Sequence, residues 1–168
     1  MSAKAPFTIE RIGWYDITER QREFFCFEDD YLPLPKEHAL QIHLLTSSSA
    51  QRVWEWLSPS LPSGWPASKH RFAKRTAFKL DDEHWNLDSG IQIVRQWLHD
   101  LGIPYSTDIF LIYEADKIVQ MPWKLVVKYW NALAWSIGNY MLTMDCTRQW
   151  ACCFHHEEVI IFGTFSKK

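Results

Sequence analysis

The residues with the clearest chemical capacity are the consecutive His155, His156, Glu157 and Glu158. Imidazole beside carboxylate can bind a divalent metal or move protons near neutral pH. The spacing works against such a site. Side chains of adjacent residues on a strand point apart, and on a turn they face solvent. The chain has no HExxH or equivalent second element, and nothing in the pattern brings His43, His84 or Asp145 to the cluster. The primary reading is therefore a turn between strands with no metal and no cofactor. The alternative is a small metal-dependent hydrolase using His155, His156 and Glu157. Cys153 lies two residues before His155, on the same side of a strand, in a spacing that a Cys–His nucleophile pair would use. A buried cysteine acting as a small hydrophobe is the commoner use of that residue.

A second run combines charge with aromatic rings. Lys69, His70, Arg71, Lys74, Arg75 and Lys79 are interleaved with Phe72 and Phe78, and Asp81, Asp82 and Glu83 follow at once. Cations for phosphates and rings for base stacking are what single-stranded nucleic acid requires. The acidic residues that follow make a solvated, charge-balanced segment the plainer reading. The chain contains no GxSxG elbow, no P-loop and no GxGxxG, and its six glycines leave little room for a phosphate-cradling loop. No CxxC pair joins Cys26, Cys146, Cys152 and Cys153, so a zinc ribbon or thioredoxin-type site is not indicated.

The elements that would position these residues are clearest in the last third. Pro122 suits the first turn of a helix, and Trp123, Val126, Val127, Trp130 and Ala134 recur at helical spacing. Lys124, Lys128 and Asn131 fall on the opposite side, so the helix is predicted to lay a tryptophan stripe on an apolar floor. Gly138 and Asn139 end it, and Tyr140 to Asp145, Trp150 to Phe154 and Glu158 to Phe162 read as three strands of an antiparallel meander. The Trp150 strand is apolar on both sides and is expected to be central. Upstream, Leu87, Ile91, Val94, Leu98 and Leu101 form a second helical stripe, with Asp88 or Ser89 as N-cap, Gly102 after its end and Pro104 beyond. Its Gln92, Arg95, Gln96 and His99 would face water or a partner. Ile109 to Tyr113 and Ile118 to Met121 read as a hairpin about a polar turn. Nearer the amino terminus, Thr18 and Gln21 have capping-box spacing before a helix through Phe25. Tyr31 to Pro35 reads as an extended connector, Leu40 to Leu45 as strand-like, and Ser48 to Gln51 as a second capping box before Val53, Trp54 and Leu57. Prolines 59, 62 and 66 make residues 58–84 a long loop or insertion.

These signals add up to an α+β fold in one domain spanning residues 1–168. The expected architecture is a mainly antiparallel sheet of about five strands with amphipathic helices packed on one face. With 47% hydrophobic residues among 168, one substantial core is possible. The ten tryptophans imply either a thick core or an aromatic binding surface, the latter including Trp65 or Trp85. A net charge of −2 gives no global argument for nucleic acid or an anionic membrane. No apolar run reaches the length of a membrane span and the amino terminus lacks a secretion signal's apolar core, so a cytoplasmic protein is expected.

The pattern Trp123 and Trp130 on a helix, Trp150 on a strand, then His156-Glu157 ahead of Ile160, Ile161, Phe162 and Gly163 resembles the ending of small bacterial proteins of uncharacterised function. Some groups of this size and α+β make-up act as immunity proteins, which bind a toxin and block it. The resemblance covers about the last quarter of the chain. It implies a bacterial origin more than an activity, and carries over no functional residue. The functional expectation is thus a non-catalytic protein-binding domain, immunity-type or regulatory. Trp65, Trp85, Lys69, Arg71, Lys74 and Arg75 are its candidate binding residues. A symmetric homodimer through an uncovered helix or sheet edge is compatible with the pattern.

Overall fold

The computed structural model describes residues 4–22, 33–62, 65–66, 74–135 and 140–165. In chain order its strands are β1 (Arg11–Gly13), β2 (His43–Leu45), β3 (Lys74–Lys79), β4 (Asp108–Glu114), β5 (Lys117–Pro122), β6 (Tyr140–Asp145), β7 (Trp150–His155) and β8 (Val159–Thr164). The helices are α1 (Glu19–Arg22), α2 (Lys36–Ala39), α3 (Ser47–Leu57), α4 (Asp82–Asn86), α5 (Asp88–Asp100) and α6 (Trp123–Ala134), with a short 3₁₀ turn over Ser58–Ser60. One antiparallel sheet of eight strands, in the order β1-β2-β5-β4-β6-β7-β8-β3, holds them together. The α+β class is as expected; the strand number is not about five. Two strands escape a periodicity search, β1 because it is three residues long and β3 because it carries lysine and arginine on an exposed edge. The segment 58–84, expected to be a loop, therefore contributes a sheet strand and the start of α4.

The period of two along the central strands divides the core into two layers. Ile109, Leu111, Val119, Met121, Trp150, Cys152 and Phe154 meet α5 and α6 on one side. Phe110, Ile112, Ile118, Leu142, Ala151 and Cys153 meet Ala50, Val53 and Leu57 of α3 on the other. The second face, which the sequence pattern leaves open, is covered by α3, because a sheet whose central strands are apolar on both sides needs cover on both. The β7 strand is interior, as its two apolar sides required.

Several local signals act as their chemistry predicts. The Gln21 amide N–H donates to Thr18 Oγ1 at 3.2 Å while Thr18 N–H donates to Gln21 Oε1 at 2.8 Å, a reciprocal cap. Its helix is described to Arg22; Phe24, Phe25, Cys26, Tyr31 and Leu32 lie outside the described residues, as do Gly138 and Asn139. Gly102 takes φ +76° after α5, the left-handed conformation that glycine adopts without a Cβ penalty. Three boundaries differ. The strand expected over Leu40 to Leu45 begins only at His43, since Leu40 closes α2. Thr46, not Ser48, caps α3, its hydroxyl accepting from Ser49 N–H at 3.4 Å. At α5 neither Asp88 nor Ser89 is the cap: Asp88 is already helical, and Leu87 N–H is taken by the Glu83 carbonyl at 3.0 Å.

Helix α6 buries its predicted stripe and more. Leu125, Tyr129, Asn131 and Leu133 are buried too, leaving Lys124 and Lys128 exposed. Asn131 was expected in water. It is buried instead; elsewhere on α6 the Tyr129 hydroxyl lies 2.6 Å from His38 Nδ1 of α2. No described helix is long and apolar enough to cross a membrane.

Candidate functional site

The hairpin turn between β7 and β8 and the short helix α4 come together at the carboxy-terminal end of α6. A β-turn places His155 to Glu158 at the strand ends: Glu158 N–H donates to the His155 carbonyl at 3.0 Å, and Glu158 adopts φ 56°. Glu158 in turn accepts from Leu80 N–H at 2.7 Å, which fixes the entry to α4 against this turn. Helix α4 starts on Asp81, whose carboxylate accepts from Glu83 N–H at 3.0 Å and His84 N–H at 3.2 Å. The His84 N–H bond is the chief reason the Asp81 carboxyl is held below its usual range. One turn on, Trp85 stacks on Trp130 of α6 with ring centres 4.8 Å apart and meets Trp135 edge-on at 5.8 Å.

The result is a cleft of about 290 Å³ between Asp82 and Trp85 on one wall and His155, His156 and Glu158 on the other, with Trp135 at its mouth. Trp135 is 61% exposed, the largest exposure of any bulky apolar residue among those described. The described lining carries two carboxylates and two imidazoles and no lysine or arginine. Its electrostatic character is acidic, set beside a cluster of three indoles packed at 48° and 78° to one another.

The two imidazoles do not point apart as the strand alternation suggested. Their ring centres are 4.3 Å apart and tilted by 32°, because His155 closes the strand and His156 already belongs to the turn. His155 Nδ1 accepts from Glu157 N–H at 3.2 Å, while the Glu157 carboxylate swings out to 74% side-chain exposure, 3.9 Å from the same nitrogen. Among the described residues no three His, Cys, Asp or Glu side chains converge as a metal ion would require. His43 is on β2 at the far side of the sheet, and His84 packs on Phe78, ring centres 5.1 Å apart. Burial pushes the Cys153 thiol up to about 12 and raises that of Cys152 well above the ordinary thiol value, which disfavours the thiolate that a nucleophile needs.

The remaining candidates separate. Trp65 packs edge-on to Phe165 at 5.9 Å in the α3 layer, on the opposite side of the sheet from Trp85, so the two tryptophans do not share a surface. Lys74 and Arg75 are exposed on the edge strand β3, opposite Thr164 and Gly163 of β8. Their aromatic neighbour Phe78 turns inward against Trp97, ring centres 5.6 Å apart, and is lost as a stacking platform. Lys69, His70, Arg71 and Phe72 lie outside the described residues. Trp135 is the residue that the pattern missed. Its signal was present: it falls one position past Ala134, off the stripe that carries Trp123 and Trp130, and so has no core to enter.

All of the cleft lies within the stretch that a family model spans, residues 15–163. The chain belongs to the family described as "Protein of unknown function (DUF2947)". No curated protein and no solved structure matches it. The cleft, the sheet from β2 onward and helices α1 to α6 are therefore all part of the DUF2947 unit.

Proposed function

We propose that this chain is a binding protein for another protein, of the immunity or regulatory kind, and that it works without catalysis. The observation that carries the reading is Trp135, an indole held open to solvent on a rigid base of Trp85 and Trp130. Tryptophan pre-ordered in this way loses little entropy on contact, and it is among the residues that most often dominate interface energies. Asp82 and Glu158 beside it favour a partner segment that is cationic as well as apolar, a lysine- or arginine-bearing loop whose aliphatic stem covers the indole. The likeness of the Trp123 to Gly163 pattern to small bacterial proteins, some groups of which are immunity proteins, points the same way. High thiol pKa values for Cys152 and Cys153 argue against nucleophilic chemistry at this end of the sheet.

The test is capture of the partner from native lysate by the wild-type chain, followed by affinity measurement with the purified pair. Trp135→Ala removes a side chain that supports no core, so stability should change by less than about 0.5 kcal/mol. Affinity should fall by about 30-fold, the effect of a hot-spot residue worth about 2 kcal/mol. A stoichiometric partner whose affinity is unchanged by Trp135→Ala and by Trp85→Ala would refute this placement of the surface.

A further inference from the structure

A second concavity lies at the amino-terminal half of α6, on the other side of the non-helical Tyr129 (φ −115°, ψ 18°) from Trp135. It is a groove of about 540 Å³ between α5 and α6, and none of the described residues that line it is acidic. Three cations enter it: Arg95 from α5, and Lys124 and Lys128 from successive turns of α6. Lysines four apart on a helix share a face, so two ammonium groups stand over one side of the groove and the guanidinium over the other. None of the three meets a carboxylate within ion-pair distance among the described residues. The nearest acids do other work. Asp100 accepts from Gln96 Nε2 at 2.8 Å, while Asp88 and Glu37 act only at longer range on Arg95 and on the Tyr129–His38 pair. In a chain of net charge −2, an unbalanced local cluster of three cations is a concentrated positive field.

Arg95 adds a directional feature. Its Nη2 donates to the Lys128 carbonyl at 2.7 Å, which ties the guanidinium across the helix pair. Its Nε is buried and has no hydrogen-bond partner. A buried donor of a charged group without an acceptor is costly, and a negative charge in the adjoining groove would offset part of that cost by its field on the guanidinium. Polar groups for the rest of a ligand are at hand in Gln92, Gln96 and the Tyr105 hydroxyl. The last of these is positioned by His99 Nδ1 at 2.8 Å.

We infer that the α5–α6 groove is a binding site for a small, soluble phosphorylated ligand, with Lys124, Lys128 and Arg95 gripping the phosphate or diphosphate. The volume is that of a small-molecule site. Three cations from two helices match a multiply charged phosphate better than a single carboxylate, and Arg95 offers the planar fork that phosphate oxygens take. This site is independent of the Trp135 cleft.

The experiment is a titration of the ¹⁵N-labelled chain with inorganic pyrophosphate at constant ionic strength. Saturable shifts are expected at residues of the Arg95 to His99 turn and the Lys124 to Lys128 turn. The Lys124→Ala, Lys128→Ala double variant should bind at least about tenfold more weakly, as the loss of charge-assisted bonds requires. Arg95→Lys should also weaken binding, since an ammonium cannot keep the Lys128 carbonyl and grip an anion at once. A Lys36→Ala, Lys74→Ala variant, of equal charge change, should bind like wild type, and so should Trp135→Ala. Absence of saturation, or equal weakening in both lysine double variants, would overturn the proposal. So would binding to vesicles containing phosphatidylglycerol with no response to pyrophosphate, which would give the groove to a membrane headgroup.

Discussion

Gly90 offers the sharpest test of how the cleft is held. It is the third residue of α5 and is buried where α5 meets α4. A Cβ added there would overlap the Glu83 carbonyl oxygen and lie 2.6 Å from its carbon and 2.7 Å from the His84 Cα. All three atoms are backbone, so no rotamer change can make room. The Glu83 carbonyl is also the acceptor for Leu87 N–H at 3.0 Å, the bond that closes α4. Gly90→Ala must therefore push α4 off α5 or break its last turn. Overpacking of this kind costs about 1–3 kcal/mol, and the helix propensity of alanine returns at most about 1 kcal/mol. With the clash on backbone atoms the cost falls in the upper part of that range, about 2–3 kcal/mol, so the net expectation is a loss of about 1–2 kcal/mol, or a fall in Tm of roughly 2–8 °C for a chain of this length. Urea unfolding followed by circular dichroism measures the first number and a thermal scan the second. Ser89→Ala, at the exposed neighbouring position, is the control and should change stability by less than about 0.5 kcal/mol. Because α4 carries Asp82 and Trp85, Gly90→Ala should also weaken partner binding at the cleft in a sample that is still folded. A Gly90→Ala chain as stable as wild type, or more so, would refute the packing argument outright.

Two further expectations follow from the titrating groups. Cys152 and Cys153, buried and with thiols raised by that burial, should resist a thiol reagent at pH 8 until the chain opens. Peptide mapping that finds either one modified within the mixing time of the native protein would contradict this. The His38 pKa is lowered, first by desolvation and then by Lys128 and Lys124 against Glu37, so the unfolded chain binds more protons at this site below about pH 6.5. The stability it contributes is full above that value and is lost as pH falls through the folded pKa. Unfolding free energies at pH 7 and pH 5 should then differ less for His38→Gln than for wild type, and equal differences would count against the assignment.

How much of this was legible in the residues divides along a physical line. Patterns that act over one or two turns of chain were readable: the α6 stripe, the Thr18–Gln21 reciprocal cap, Gly102 after α5, the β4–β5 hairpin and the β6-β7-β8 meander. Each is decided by neighbours within a few positions, where spacing alone selects the conformation. The two-sided apolarity of β7 even placed that strand in the sheet's interior. Strands β1 and β3 were not readable, since three-residue and charged-edge strands are stabilised by the partner that pairs with them and not by their own pattern. The same limit hid the second helical layer: the contacts of α3 are with Phe110, Ile118 and Leu142, more than fifty residues away in sequence.

The chemistry divides in the same way. Sequence alone determined that His155, His156 and two glutamates are adjacent, that the chain is rich in tryptophan, and that cations lie on α5 and α6. Tertiary structure alone decided which of these meet. It stacked Trp85 on Trp130 beside the imidazoles and sent Trp65 to the other face of the sheet. It turned Phe78 inward, left Trp135 in the open, and brought Arg95 opposite Lys124 and Lys128. Adjacency in the chain is fixed by covalent bonds, whereas convergence in space is fixed by which apolar faces bury one another, and that is settled only when the whole sheet and both helical layers are packed.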